Sequence, residues 1–237
     1  MPTVHACRPR TLAGLAAWMD ATVLKPQATR AEVIRLCEEA RRVGAAAVCV
    51  NPIFVPEVRG RLEGSPVAVC TVVGFPLGAV PTETKVGEAC RAIQEGATEI
   101  DMVLWVGGLK AGERDAVRDD IATLANVAHI RGARLKVIFE TCLLTNEEKR
   151  IACDMCVAAK ADFVKTSTGF SSGGATAEDV RLMSGAVAPA GVGVKASGGI
   201  RTLADALAMI DAGATRLGLS AAAAILDEAR AAGWPER

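Results

Sequence analysis

Short runs rich in valine and isoleucine recur between longer alanine-rich segments whose apolar positions return with helical spacing. The runs are AAVCV (46–50), VAVCTVV (67–73), EIDMVL (99–104), LKVIF (135–139), DFVKTS (162–167), GVKAS (193–197) and RLGLS (216–220). An eighth, without a long apolar run, is expected around 19–23. The intervening pattern predicts helices at about 31–43, 82–95, 113–130, 145–160, 176–188, 202–212 and 221–232. Strand and helix alternating throughout imply parallel pairing through right-handed crossovers. Two architectures satisfy this, a closed eight-stranded barrel and a doubly wound sheet. The near-even spacing, with no composition break and no Gly/Ser-rich linker, favours a single-domain (β/α)8 TIM barrel over residues 1–237.

Composition sharpens the picture in a few places. A length of 237 residues suits one α/β barrel, and with 3% aromatics and no tyrosine its core must be built from Ala, Val, Leu and Ile. Twenty-seven basic residues balance twenty-seven acidic ones, so neither nucleic acid nor a membrane surface is an expected partner. An anionic ligand would have to be held locally. The opening stretch carries Arg8 and Arg10, but its apolar part is short and contains Asp20, which fits neither a signal peptide nor a spanning helix and points to a cytoplasmic protein. A homodimer or homotetramer is the usual expectation for a soluble enzyme. The eight cysteines are scattered through apolar segments, as reduced, buried thiols would be. Cys153 and Cys156 form a CxxC that reads either as a metal or redox pair or as one face of the helix after Asn146. Zinc would need two further ligands, and His5 and His129 are the only histidines, so no metal or cofactor is expected.

Function in such a barrel is sought at the carboxyl ends of the strands. Those ends bring Asp20, Thr22, Cys49, Asn51, Gly74, Asp101, Glu140, Thr141, Lys165, Lys195, Gly218 and Ser220 to one rim. Lys165 and Lys195 interrupt apolar strands that are predicted neighbours, where in-register Cβ atoms lie about 5 Å apart. A neighbouring cation or partial desolvation favours the neutral amine that attacks a carbonyl. Asp101, also inside a strand, could hold one ammonium or exchange protons with a bound intermediate. The alternative is structural: either lysine snorkels outward or forms a buried ion pair with Asp101 or Glu140. Three glycine-bearing segments, Gly169 to Gly174, Gly198 with Gly199, and Gly218 with Ser220, lie at strand ends or before helices. Backbone amides there can bind a phosphate without net positive charge.

Taken together, FVKTSTGF with GGAT, GVGVKASGGIR, EIDMVL, VVGFPLG (72–78), AAVCVNP (46–52) and MDATVLKP (19–26) resemble the deoxyribose-phosphate aldolase family, in the family's order and over nearly the whole chain. The resemblance implies a metal-independent class I aldolase without a cofactor. Its partners would be small molecules: it would cleave 2-deoxy-D-ribose 5-phosphate reversibly to D-glyceraldehyde 3-phosphate and acetaldehyde, in deoxyribose phosphate catabolism. By motif, Lys165 would form the Schiff base, Lys195 would tune it and share proton transfer, and Asp101 would donate or accept protons. Asp20 and Thr22 would order the catalytic water, and Cys49 and Asn51 would line the small donor end. Gly169, Gly198, Gly199, Gly218 and Ser220 would bind the phosphate. The chain departs from the family pattern in having Ala21 where a histidine is common, and Phe170 and Ala221 where some members have lysine and serine. Lacking tyrosine, it resembles the shorter type.

Two other readings share part of this pattern. A Schiff-base aldolase or transaldolase for longer sugar phosphates would need polar groups for extra donor hydroxyls. A barrel that binds a phosphorylated metabolite without turning it over would need the glycine segments alone, without both lysines and Asp101.

Overall fold

The computed structural model describes residues 8–237; His5, Cys7 and the first part of the opening stretch lie outside the described residues. Eight parallel strands close into a barrel in sequence order. They are β1 (Met19–Val23), β2 (Ala47–Val50), β3 (Ala68–Val73), β4 (Glu99–Val103), β5 (Arg134–Ile138), β6 (Phe163–Lys165), β7 (Gly193–Ser197) and β8 (Arg216–Leu219). The doubly wound alternative is thereby excluded: β8 pairs with β1, Asp20 standing opposite Gly218. All eight expected strands are present, including the one around 19–23. β6 stops at Lys165, shorter than the run 162–167, because Thr166 and Ser167 already belong to a loop stitched by hydroxyl groups.

The seven long helices fall where the pattern puts them, from Arg30–Val43 to Ala222–Ala231. Three begin at a capping box, with Thr29, Thr145 or Thr202 accepting from the amide of the third helical residue while Glu32, Glu148 or Asp205 reaches back. Three short helices, Leu12–Ala16, Val55–Arg61 and Val106–Lys110, were not expected; each is too short to develop a helical period.

Along β4 the alternation decides what faces where. Ile100 and Met102 pack outward against the helices, while Glu99 and Asp101 turn into the barrel. Both faces of these strands are buried, which suits a parallel barrel and makes each inward charge costly unless it is paired. The interior is divided accordingly. One side, mostly β2 and β3, is apolar, with Ala47, Cys49, Cys70 and Val72 packed under Leu24 and Phe75. The other, from β4 round to β1, carries the charges described below.

Candidate active site

Asp101 sits at the centre of the charged half, fully buried. Its Oδ2 accepts from both Lys165 Nζ and Lys195 Nζ at 2.8 Å, and its Oδ1 from Lys136 Nζ at 2.7 Å. The two strand-end lysines are Cα partners in the β6–β7 register, so they reach the same oxygen from adjacent strands. Their nitrogens therefore lie within twice 2.8 Å of one another. A second tier closes beneath them. Asp20 Oδ2 lies 2.5 Å from Lys195 Nζ, an ion pair without hydrogen-bond angles, and Asp20 Oδ1 accepts from Arg216 at 2.7 Å. Glu99 takes Lys136 at 2.7 Å and Arg216 at 3.3 Å, and the Arg216 guanidinium lies 5.3 Å from the centre of the Phe163 ring.

The buried cluster thus holds four cations, Lys136, Lys165, Lys195 and Arg216, against three carboxylates, Asp20, Glu99 and Asp101. Exposed Arg134 touches its edge at 3.9 Å from Glu99 and is screened by solvent. One cation is in excess. Burial opposes charge on Lys136 and Lys195, yet Asp101, with Glu99 and Asp20 respectively, holds both well above the ordinary lysine range. Burial likewise opposes charge on Asp101, but Lys136, Lys165 and Lys195 keep it well below the usual carboxylate range. Asp20, opposed by burial and supported by Lys195, Lys136 and Arg216, falls from 3.8 to about 2.

A carboxylate depressed on folding contributes stability that is complete above its unfolded value and is lost as pH falls through its folded value. For Asp20 the window runs from 3.8 down to about 2. This carboxylate alone is worth about 2 kcal/mol, and Asp101 adds in the same direction. Calorimetric Tm should be level near about pH 6 and fall steadily below about pH 4. A Tm unchanged down to about pH 2 would contradict this account of the cluster.

Above the cluster lies an open cleft of about 650 Å³ whose lining includes Lys165, Thr22, Gly169, Gly198, Gly199, Gly218 and Ser220. The hydroxyls after Lys165 build its wall. Thr166 Oγ1 donates to the Ser197 carbonyl and accepts from the Ser197 amide, both at 3.1 Å, while Ser197 Oγ donates to the Ser167 carbonyl at 2.8 Å. The ends of β6 and β7 are locked together by these bonds. Gly198 is needed twice over: its φ is +87°, and the Gly174 backbone lies against it, with the Ala175 amide donating to the Gly198 carbonyl at 3.0 Å. At Gly218 an added Cβ would stand 3.1 Å from Lys195 Cε and 2.8 Å from Ser197 Cβ, so only glycine lets β8 pass so close to Lys195.

The structure therefore brings together Lys165, Lys195, Asp101 and Asp20, and it lines one cleft with Thr22 and all five expected phosphate-binding residues. Thr22 Oγ1 donates to the Asp20 carbonyl, and the Asp20 carboxylate is filled by Lys195 and Arg216. Cys49 lies in the apolar half, while Asn51 is not part of the cleft lining: its amide donates to the Leu24 carbonyl at 3.1 Å and secures the end of β1. Lys136, Glu99 and Arg216 were missed because attention to strand ends overlooks the tier beneath. A lysine second in LKVIF and an arginine opening RLGLS were the available signals.

The thiols depart from expectation at Cys142, which is exposed, and Cys90, which is half-buried. Cys153 and Cys156 are both buried on the helix Asn146–Ala158, as the helix-face reading required. Cys49, Cys70 and Asp101 bring ligand-type atoms within 4.8 Å of one another, as do Asp20, Cys70 and Glu99. Ammonium groups occupy that space instead: Lys136 Nζ stands 3.2 Å from Cys70 Sγ and 2.7 Å from Asp101. Among the described residues no helix is long and apolar enough to cross a membrane.

The model of the DeoC/LacD family aldolases matches residues 15–227. The chain belongs to this aldolase family. As a DeoC/LacD aldolase it is an enzyme of the lyase class, and the strand ends just described are the ends of an aldolase barrel. A deoxyribose-phosphate aldolase from Thermococcus gammatolerans is 54% identical over 218 residues, 91% of this chain and 96% of its own. One from Clostridium kluyveri is 54% identical over 214 residues, 90% of this chain and 97% of its own. The tetrameric deoxyribose phosphate aldolase of Aeropyrum pernix superposes with a TM-score of 0.89 at 34% identity, covering 96% of each chain.

Proposed function

We propose that this aldolase cleaves 2-deoxy-D-ribose 5-phosphate reversibly to D-glyceraldehyde 3-phosphate and acetaldehyde, through an imine on Lys165. The observation that carries the reading is that Lys165 alone among the three lysines on Asp101 also lines the glycine-walled cleft. Lys136 and Lys195 are each engaged by at least two carboxylates, whereas among the described residues Lys165 pairs with Asp101 alone. The cluster holds one cation more than it has carboxylates, and the amine with a single carboxylate partner is the one that lines the cleft.

In this scheme neutral Lys165 Nζ attacks the C1 aldehyde, and loss of water gives a cationic imine. The C3 hydroxyl then gives up its proton, the C2–C3 bond breaks, and its electron pair flows into the imine as an enamine. D-glyceraldehyde 3-phosphate departs. A proton returned to C2 regenerates the imine, and water releases acetaldehyde with Lys165 free. Asp101, ionised at rest, is suited to accept a proton rather than to supply the first one, and Lys195 is the adjacent ammonium. Both act at the imine end of the cleft. Gly169, Gly198, Gly199, Gly218 and Ser220 would hold the phosphate, so that its binding energy orients the reacting end.

The test is direct. Purified protein given 2-deoxyribose 5-phosphate should release acetaldehyde and glyceraldehyde 3-phosphate in equal amounts, and should reform the sugar phosphate from the two aldehydes. Cleavage of longer sugar phosphates with no acetaldehyde formed would overturn the assignment, as would binding without turnover.

A further inference from the structure

Glu140, at the end of β5, has so far no task, yet it occupies an expensive position. Its backbone is left-handed, with φ at +54° and ψ at +65°, a region that favours glycine. Its side chain is 4% exposed and, among the described residues, has no cationic partner. Burying a carboxyl group under those conditions is unfavourable unless its oxygens are otherwise engaged. Among the described residues, the side-chain hydrogen bonds of Glu140 go to one residue, Thr168. The Thr168 hydroxyl donates to Oε2, and the Thr168 amide lies 3.3 Å from Oε1 and 3.4 Å from Oε2. The same hydroxyl accepts from the Phe170 amide at 3.0 Å, which closes the turn over Gly169.

The left-handed residue is held in place from both sides. The Phe139 amide donates to the Lys165 carbonyl and the Thr141 amide to the Thr166 carbonyl, each at 2.9 Å. Glu140 lies between two bonds to the segment that carries Lys165, and its backbone twist sends the carboxyl group across to Thr168. Thr168, Gly169 and Phe170 line the cleft together with Lys165. The turn at Gly169 is thus fixed relative to Lys165 by a strut whose base is the Lys165 strand itself.

We propose that Glu140 is a positioning residue: through Thr168 it sets the distance between the imine-forming lysine and the phosphate-binding turn at Gly169, and so enforces preference for phosphorylated substrate. The proposal rests on the aldolase reaction given above. It requires no contact between Glu140 and substrate. Removing the strut should weaken the use of phosphate binding while leaving the chemistry at Lys165 able to proceed.

The variant that tests this is Glu140→Gly. Glycine relieves the left-handed backbone while deleting the carboxyl group, and that relief offsets part of what the lost hydrogen bonds cost, so the fold should survive. With 2-deoxyribose 5-phosphate, kcat/KM should fall by roughly 30-fold, mostly through KM; with unphosphorylated 2-deoxyribose it should change by less than about 3-fold. Borohydride trapping of acetaldehyde on Lys165 should proceed as in the parent. Thr168→Val should show the same loss of preference, and the double variant should lose no more than either single one. If Glu140→Gly keeps the parent's preference for the phosphorylated sugar, or loses both substrates equally, the proposal is wrong. Should Glu140→Gly fail to fold, Thr168→Val, which leaves the backbone at Glu140 untouched, decides by the same criterion. A parent that traps no acetaldehyde or shows no phosphate preference would instead overturn the functional reading on which the proposal stands.

Discussion

Lys165→Leu is expected to lose turnover by at least about 10⁴-fold while unfolding at a temperature no lower than that of the parent. The first half follows from geometry. Among the described residues no other lysine both touches Asp101 and lines the cleft, because Lys195 is gripped by Asp101 at 2.8 Å and Asp20 at 2.5 Å, and Lys136 lies in the tier below. Neither contributes to the lining of the cleft. The second half follows from the charge count. Leucine removes the surplus cation, leaving Lys136, Lys195 and Arg216 against Asp20, Glu99 and Asp101, and Asp101 keeps two of its three partners. Replacing a buried charge by an apolar side chain of similar size in a cluster that remains paired is neutral or stabilising. Borohydride reduction in the presence of acetaldehyde, followed by peptide mapping, should find the parent's adduct on Lys165 and none in the variant. An adduct on another lysine, or a variant that turns over at the parent's rate, would refute the assignment. A marked drop in Tm would show that Lys165 is a structural ion pair, the bland alternative that its buried position had left open.

That alternative could not be settled from the sequence, and the reason is physical. Strand-to-helix alternation is local, so every strand and every long helix was legible, and Lys165, Lys195 and Asp101 stood out as charges at the ends of apolar runs. What selects among charges is their partners, and these are remote: Arg216 meets Asp20 across 196 residues and Lys195 meets Asp101 across 94. Barrel closure makes both contacts, and no local pattern announces them. Lys136 shows the limit best. Its place in LKVIF looks like one polar residue in an apolar strand, yet it is fully buried and bonded to Asp101 and Glu99. Asn51 errs in the opposite direction, since a polar residue at a strand end was expected in the pocket and instead secures the rim. Glu140 was visible as a strand-end carboxylate, but its left-handed backbone is set by pairing on either side with the Lys165 strand. The family resemblance singled out Lys165, which the barrel places on Asp101 and in the cleft; the second tier and the strut on Thr168 arise only from the three-dimensional packing.

Lys195→Leu should behave differently from Lys165→Leu, retaining slow turnover. The two ammonium nitrogens share one oxygen of Asp101 at 2.8 Å each and so lie close enough to repel strongly. At about 5 Å and an effective dielectric constant of about 20 that repulsion is about 3 kcal/mol. Leucine at 195 removes it and leaves the cluster with three cations and three carboxylates. Activity should therefore fall about 100-fold, with the imine still trapped on Lys165, only more slowly. Asp20 keeps Arg216 at 2.7 Å and Lys136 at 3.9 Å, so its carboxylate remains compensated and the barrel should stay closed. The rate of trapping separates this mechanism from loss of a proton carrier. If Lys195 served only to shuttle a proton during turnover, Lys195→Leu would trap acetaldehyde on Lys165 as fast as the parent does. Slower trapping requires instead that the role of Lys195 be electrostatic, exerted on Lys165 across the oxygen of Asp101 that both lysines share.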